Sequence, residues 1–438
     1  MNIILKKRAA KNGVSLPENK LTESISVEKI NLPERVILPL QQNLGAPASA
    51  LVKKGDKVKT GDKIGESKSF VSALLHATVS GEVEGIIQVI NPASGRLCDA
   101  IVIASDGLDT TADFQPVKDV SLLTNEEIIA KIKDAGIVGM GGATFPAHVK
   151  LTPPKDKTID TLILNGCECE PYITSDHRVM LEYGDKVLAG LNLIAKVLSI
   201  NNVYLAIEDN KEDAIKHLAK LISEAKYNFQ IIPIKTRYPM GAEKTLVKTV
   251  INKEVPKGGL PLDVGAVVQN VSTTKAIYDA VYEGKPLIER VVTVTGDVKN
   301  PKNLLVRFGT PIRSLIDYCG GTTGNEVIIG GPMMGIAQFD LGFPITKGTN
   351  CILVKNARTI KESDCINCGR CVDVCPMGLQ PTLYPKYVKK GRYSDCKEFY
   401  VENCVECGAC TYACPAGIPI VQYIKTAKKE INKRKASK

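Results

Sequence analysis

The sequence predicts a multidomain chain of mixed α/β class, and three observations carry that prediction. Residues 31–105 consist of short β-like runs separated by Gly-Asp turns. From about residue 120 the pattern changes to strands alternating with amphipathic helices. Near the end, CINCGRCVDVCPMG (365–378) is followed thirty-nine residues later by its near-repeat, CVECGACTYACPAG (404–417). A chain of 438 residues has room for about three domains of ordinary size.

In chain order, ALVKKGDKVKTGDKIGE (50–66) and HATVSGEVEGI (76–86) come first. They are similar to the flattened barrel of biotinyl and lipoyl carrier domains. Lys68 is the one lysine near the carrier position, but it lacks the usual acidic or Met neighbour and its spacing to Gly81 is off. A structural or docking barrel is therefore expected. Next, EEIIAKIKDAG (126–136) reads as a helix and TIDTLILNG (158–166) as a strand ending in a turn. Residues 175–200 have helical periodicity, NVYLAIED (202–209) is strand-like, 211–225 helical, and FQIIPIK (229–235) strand-like. Such alternation predicts a mainly parallel sheet covered on both faces, with ligands at the carboxyl ends of its strands. Residues 288–345 return to strands with a short helix, a small α+β module in which GGPMMG (330–335) reads as a tight turn.

Each cysteine block is C-x2-C-x2-C-x3-C-P. Three closely spaced thiolates can wrap one face of a cubane iron–sulfur cluster, and in two-cluster ferredoxins the fourth cysteine of such a run ligates the other cluster. The predicted sets are Cys365, Cys368, Cys371 with Cys414, and Cys404, Cys407, Cys410 with Cys375. Gly369 and Gly408 let the backbone pass close to sulfur, and Pro376 and Pro415 turn the chain after the fourth ligand. Zinc is the rival reading, but neither block contains His.

The remaining composition narrows the function classes. No run approaches the ~18 apolar residues of a membrane span, and MNIILKKRAAKNG is too short in apolar residues for a secretion signal, so a cytosolic setting is expected. Fourteen cysteines in that setting point to metal rather than disulfides. Cys98, Cys319, Cys351 and Cys396 read as packed or surface thiols, and His76, His148, His177 and His217 have no metal-ligand partner at useful spacing. The net charge of +10 is concentrated in residues 425–438, which hold seven Lys or Arg and one Glu. This tail reads as a solvated end or as a contact for an anionic surface or acidic partner. Nucleic-acid binding is not expected, because no recognition motif or basic stripe runs through the body.

Clusters pass single electrons, whereas most metabolic reductants give two as hydride, and a flavin commonly converts between them. GIVGMGGATFPAHVK (136–150) contains Gly139, Gly141 and Gly142, a loop whose N–H groups could approach a phosphate or flat ring, with Lys150 available as a counter-charge. In LILNGCECEPY (162–172), Asn165, Glu168 and Glu170 stand at a strand end, suited to ribose hydroxyls or a flavin edge, or equally to a solvated turn.

Taken together, G-x-G-G-A-x-F-P-x-x-x-K and N-x-x-E-x-E-P resemble the NADH- and FMN-binding flavoprotein subunit of respiratory complex I. The resemblance implies that Gly139, Gly141, Gly142, Lys150 and Asn165 surround non-covalent FMN, with Glu168 beside it. It implies that Phe145 stacks on the NADH adenine and Glu170 binds the nicotinamide nucleotide. YPMGAEKTL would add Gly241 and Glu243, and VQNVSTT would add Gln269, Asn270 and Thr273 at the phosphate end. Cys167 stands where the complex I pattern has Asp. Over nearly its whole length the chain also resembles the RnfC family, the C subunits of Rnf complexes, which are membrane-bound ferredoxin:NAD oxidoreductases. PLQQNLGAPASALVKKGDKV, VSALLHATVSG, GMGGATFPAHVKLTPP, NGCECEPYITSDHRVM and both cysteine blocks carry that likeness.

The likeness implies a barrel-sandwich domain (1–112), a Rossmann-like FMN/NADH domain (120–286), a β-grasp module of the soluble-ligand-binding type (287–348), a helical two-cluster ferredoxin-like domain (355–424) and the basic tail (425–438). It implies an oxidoreductase subunit of an ion-translocating electron transport complex, carrying FMN and two [4Fe–4S] clusters and using NAD(H) as substrate. It would sit peripherally on the cytoplasmic face of the cell membrane through partner subunits and exchange electrons ultimately with ferredoxin. No side chain is assigned as a catalytic acid or base. The rival readings are a soluble FMN/iron–sulfur reductase such as a corrinoid reductase, and a cluster-bearing docking subunit with an empty flavin cleft.

Overall fold

The computed structural model describes residues 3–91 and 95–436, and the described residues form four β-sheets. Parts of the segments assigned to the barrel (residues 1–2 and 92–94) and to the basic tail (437–438) lie outside the described residues.

The first strand, β1 (Val27–Lys29), does not belong to the barrel. The barrel is built from β2 (Arg35–Pro39), β3 (Ser49–Ala50), β4 (Lys57–Val58), β5 (Lys63–Glu66), β6 (Leu75–His76), β7 (Gly81–Ile90) and β8 (Leu97–Ser105). These strands form two sheets, ordered β2-β8-β7-β4 and β3-β5-β6. Val36, Leu38, Ile64, Val83, Ile101 and Ile103 fill the space between them without exposure, the inward half of each strand's alternation.

The α/β domain contains α1 (Asn125–Asp134), α2 (Ala147–Lys150), β9 (Thr161–Gly166), α3 (Ser175–Glu182), α4 (Gly184–Val197), β10 (Asn202–Glu208), α5 (Glu212–Glu224), β11 (Phe229–Ile234), α6 (Glu243–Ile251), β12 (Ala266–Asn270) and α7 (Val271–Tyr282). Its four strands are all parallel, in the order β11-β10-β9-β12. Leu162 and Leu164 of β9 join the apolar cluster that holds α4, α5 and α7, while Ile163 joins the one that holds α6. Both faces are thus covered, which is why TLILNG reads as continuously apolar. Thr124 and Glu127 close a capping box at the start of α1.

Next come β13 (Glu289–Gly296), β14 (Lys302–Arg307), α8 (Ile312–Tyr318), β15 (Glu326–Ile329), β16 (Ile336–Gln338) and β17 (Cys351–Lys355). Their sheet is six-stranded, β1-β14-β13-β17-β15-β16, so its edge strand comes from the other end of the sequence. The N-terminal residues form a strap. Leu5 N–H donates to Ile231 O at 2.8 Å and Val14 N–H to Tyr238 O at 2.8 Å, before the chain pairs β1 with β14.

The C-terminal domain comprises α9 (Arg370–Asp373), α10 (Leu383–Val388), α11 (Tyr393–Glu398), α12 (Ala409–Tyr412) and α13 (Ile420–Ala436). The two cysteine blocks adopt one backbone twice, with Gly369 (φ 77°) and Gly408 (φ 76°) opening α9 and α12. The domain packs around Tyr384, Val401, Ile420, Ile424 and Ala427, with the thiol of Cys396 in the same core.

Candidate functional site

The α/β sheet has one topological switch. The chain steps outward from β9 through β10 to β11, then returns to β12 on the other side of β9. In sheets of this kind the crevice beyond the carboxyl ends of the two diverging strands is the ligand site. Here those ends are Asn165 and Asn270, directly paired in the register.

The glycine loop lies over this crevice. Met140 N–H donates to the Thr273 hydroxyl at 2.8 Å, and a side chain at Gly141 would stand 3.3 Å from Asn270. Nothing lies within 4 Å of the position a Cβ would take at Gly142, so the loop's open side is free for a ligand. Gly139 shapes the loop by donating to Phe145 O at 2.8 Å, and Phe145 itself is half-buried. Lys150 reaches across from α2 to Val268 O (2.6 Å) and the Glu243 carboxylate (2.5 Å). Asn165 donates its amide to Gly241 O at 2.9 Å. Gly241 must be glycine, because a Cβ there would fall 2.7 Å from Cys167 O. Gln269 is buried, and its Nε2 has no partner in the polypeptide, an arrangement that costs about 1–3 kcal/mol unless something else accepts from it. Asn270 caps α7 through its Oδ1 and Thr273 N–H, so the positive end of that helix opens into the crevice. An open glycine loop, a helix N-terminus, a lysine and an orphaned amide fit a phosphate-bearing flavin.

The two glutamates have hydrogen-bond partners of their own. Glu168 is buried and caps α3, accepting from the Ser175 hydroxyl (3.1 Å) and from the N–H groups of Asp176 (2.8 Å) and His177 (3.3 Å). Glu170 accepts from Met333 N–H (3.1 Å) and Met334 N–H (2.9 Å). The GGPMMG turn therefore does more than pack its methionines, because its amides hold the acidic turn. Burial pushes the Glu170 carboxyl up to about 7, against the pull of those two amides.

Sequence reasoning missed two residues here. Asp176 accepts from Asn270 Nδ2 (2.7 Å) and the Ser272 hydroxyl (2.5 Å), and its carboxyl is pushed up to about 6 by burial and then by the charge of Glu168. Lys20, on the N-terminal strap, donates to the carbonyls of Glu168 (2.8 Å), Glu170 (2.8 Å) and Ile173 (2.6 Å), gathering the acidic turn around one ammonium group. No local motif marks either residue. Their partners lie more than ninety positions away in the chain.

The cysteines line two cavities. One, of about 180 Å³, is lined by Cys365, Cys368, Cys371 and Cys414; the other, narrower, by Cys375, Cys404, Cys407 and Cys410. Each cavity thus takes three cysteines from one block and the last cysteine of the other. Among the described residues no three His, Cys, Asp or Glu side chains converge as they would on one ion. Four thiols on one cavity, three from one run and the fourth from the other, are the donor set of a [4Fe–4S] cluster in a two-cluster domain.

The two sets differ in setting. Cys365 and Cys368 are exposed, whereas Cys375, Cys407 and Cys410 are buried. Burial pushes the Cys407 thiol up to about 12, while hydrogen bonds at Asn367 and Thr382 hold Cys365 below its usual value. The inner set abuts the crevice domain. Cys407 packs with Tyr238, Cys169 and Met333, and the Tyr238 hydroxyl donates to Cys407 O at 2.6 Å.

Two of the histidines have partners in the fold. His148 bonds Phe70 O (3.1 Å), and His177 bonds Asp213 (2.9 Å). Lys68 is exposed in the loop between β5 and β6, the same loop that presents Phe70 to His148.

Four family models match the chain: the Nuo51 FMN-binding domain over residues 132–279, the RnfC barrel sandwich hybrid domain over 8–108, the SLBB domain over 291–337 and the 4Fe-4S dicluster domain over 359–418. The chain is 48% identical over 388 residues to the C subunit of the proton-translocating ferredoxin:NAD(+) oxidoreductase complex of Clostridium ljungdahlii, covering 87% of this chain and 84% of that protein. It is 42% identical over 395 residues to the Na(+)-translocating counterpart of Acetobacterium woodii, covering 88% and 89%. Among solved structures, a chain of an NAD+-reducing [NiFe]-hydrogenase aligns with a TM-score of 0.50 at 18% identity, covering 69% of this chain and 63% of that one, a likeness of fold.

Proposed function

The chain belongs to the RnfC family, the C subunits of ion-translocating ferredoxin:NAD(+) oxidoreductase complexes, and from that premise we propose how its residues move electrons between NAD(H), FMN and two [4Fe–4S] clusters. The observation that carries the proposal is the packing of Cys407, from the inner cysteine cavity, with Tyr238, Cys169 and Met333, where Cys169 also meets Gly241 N–H beside Asn165 of the crevice.

FMN, when bound, supplies the conversion between hydride transfer and single-electron transfer. The chain's own residues bind and orient. Asn270, Thr273 and the N-terminus of α7 would take the phosphate, with Lys150 adding charge and Gln269 an amide donor. Gly139, Gly141, Gly142, Asn165 and Gly241 would surround the flavin. Lys150 is held in place by Glu243, so the cation is oriented before any ligand arrives. Glu168 acts from beneath the turn, as the cap of α3. Phe145 and Glu170 serve the nicotinamide nucleotide, and the Met333–Met334 amides fix the Glu170 carboxylate. Cys404, Cys407, Cys410 and Cys375 would hold the inner cluster, and Cys365, Cys368, Cys371 and Cys414 the outer one. The buried set lies on the side of the α/β domain and the other set faces solvent, an order suited to a relay between the crevice and an outside partner.

Among the described residues no helix is long and apolar enough to cross a membrane. The chain is read as a peripheral subunit on the cytoplasmic face, held there by partner subunits, with ferredoxin as the ultimate exchange partner. The test is anaerobic reconstitution with iron, sulfide and FMN, followed by flavin extraction and NADH titration under visible and EPR spectroscopy. The expected result is stoichiometric FMN and NADH-dependent reduction of both clusters. Failure to retain FMN, or clusters that dithionite reduces and NADH does not, would overturn the reading.

A further inference from the structure

The outer cysteine cavity opens on a surface of unusual make-up. Every residue from 356 to 368 is exposed, including the ligands Cys365 and Cys368. Two isoleucines stand out at the mouth: Ile360, at 74% exposure, and Ile366, at 68%. Ile360 reaches the loop that bears Cys414, since a Cβ at Gly417 would fall 2.7 Å from it. Lys361 follows Ile360 in the chain, Arg370 follows Gly369 of the cavity lining, and with Lys386 they are exposed and have no carboxylate partner among the described ion pairs. Lys386 lines the cavity itself and donates to Asn367 Oδ1 at 2.9 Å. The mouth also carries Asp364, while Lys389 neutralises Glu362 at 2.6 Å. The wider domain has the same sign: residues 355–438 hold sixteen Lys or Arg against eight Asp or Glu.

We propose that this face is the docking site of a redox protein that presents an acidic surface around its own redox centre. The proposal rests on the function given above, and it adds which end of the chain faces the partner and what the partner's surface must carry. An apolar centre over exposed ligands, ringed by unpaired cations, is the anatomy of a transient interface in which charge steers the encounter and apolar contact excludes water. A lipid surface is the less suitable occupant. Lying on a membrane requires a free apolar helix face, and the apolar side chains of the basic helix α13, Ile420, Ile424, Ala427 and Ile431, are buried in the domain core.

The test uses the full chain with both clusters reconstituted and reduced by dithionite, so that it does not depend on NADH. An acidic two-cluster ferredoxin is the probe acceptor and basic cytochrome c the control. Stopped-flow oxidation by the ferredoxin is expected to slow with rising salt and to fall at least tenfold in Lys361→Glu/Arg370→Glu. Ile360→Ser, which removes apolar surface and adds no charge, is expected to lower it without changing the salt slope. Cytochrome c should respond in the opposite sense to charge reversal. Cluster absorbance and NADH:ferricyanide activity should stay at wild-type level in each variant. A ferredoxin rate unaffected by charge reversal would overturn the proposal. So would co-sedimentation with phosphatidylglycerol vesicles that the same substitutions abolish while the ferredoxin rate is unaltered. Clusters that dithionite reduces and NADH does not would instead refute the electron route, leaving the docking result to stand on its own.

Discussion

Asp176 shows how a half-buried carboxylate orders a ligand site from behind the residues assigned to the ligand. It holds Asn270 by one oxygen and Ser272 by the other, and Asn270 in turn caps α7. Removing it leaves the Asn270 amide free to rotate out of the phosphate position and a buried donor unpaired. Asp176→Ala is expected to raise the FMN dissociation constant about tenfold, which is about 1.4 kcal/mol. Asp176→Asn should lose less, because its amide oxygen can still accept one of the two bonds. Fluorescence titration of FMN into the apoprotein measures both, and equal binding in wild type and Asp176→Ala would refute the role.

At the scale of elements, the cysteine blocks exchange their last ligands. Cys414 belongs to the second block but lines the outer cavity, and Cys375 belongs to the first but lines the inner one. Cys414→Ser is expected to halve the iron content by loss of the exposed cluster, and Cys375→Ser to remove the buried one. Iron assay with EPR of the remaining cluster distinguishes the two; loss of the inner signal in Cys414→Ser would refute the crossing. The loop after α1 is equally constrained. Gly136 has φ 66°, and a Cβ there would fall 2.4 Å from Leu74 O of the barrel. Gly136→Ala therefore requires the barrel to move away from the glycine loop, at a cost of about 1–3 kcal/mol. Thermal or denaturant unfolding reads that loss, and an unchanged midpoint would contradict it.

For the whole molecule, the barrel, the α/β domain and the β-grasp module share one apolar core rather than three separate ones. Lys347 sits at their junction. It is fully buried, donating to Leu74 O (2.7 Å) of the barrel and Gly136 O (2.8 Å) of the α/β domain. Burial alone pushes its amine down to about 7. A neutral amine has two N–H groups, which matches the two carbonyls it meets. The unfolded chain holds this proton up to about 10.5 while the folded chain releases it near 7. Stability from this group therefore rises with pH across that window, by up to about 1.4 kcal/mol per pH unit. Lys347→Met should flatten that part of the stability–pH profile, as measured by denaturant unfolding at pH 7, 8 and 9. An unaltered slope would mean that Lys347 stays charged in the fold.

The sequence by itself determined the fold classes of the segments, the family and the cofactors. Each of these is written in local spacing: Gly-Asp turns, alternating strands and helices, G-x-G-G, and the two C-x2-C-x2-C-x3-C-P runs. Local spacing is preserved in the chain because neighbouring residues must satisfy one backbone turn, one helix face or one face of a cluster. The tertiary structure alone decided how those pieces meet. It brought Asn165 beside Asn270 across a strand pairing, sent Glu168 to the cap of α3 and Glu170 to the Met333–Met334 amides. It also placed Lys20 under the acidic turn, β1 on a sheet whose next strand lies more than 270 residues on, and one cysteine cavity inward while the other faces solvent. Such contacts depend on which buried polar groups find partners and which apolar faces meet, and these choices are settled only when the whole chain has packed.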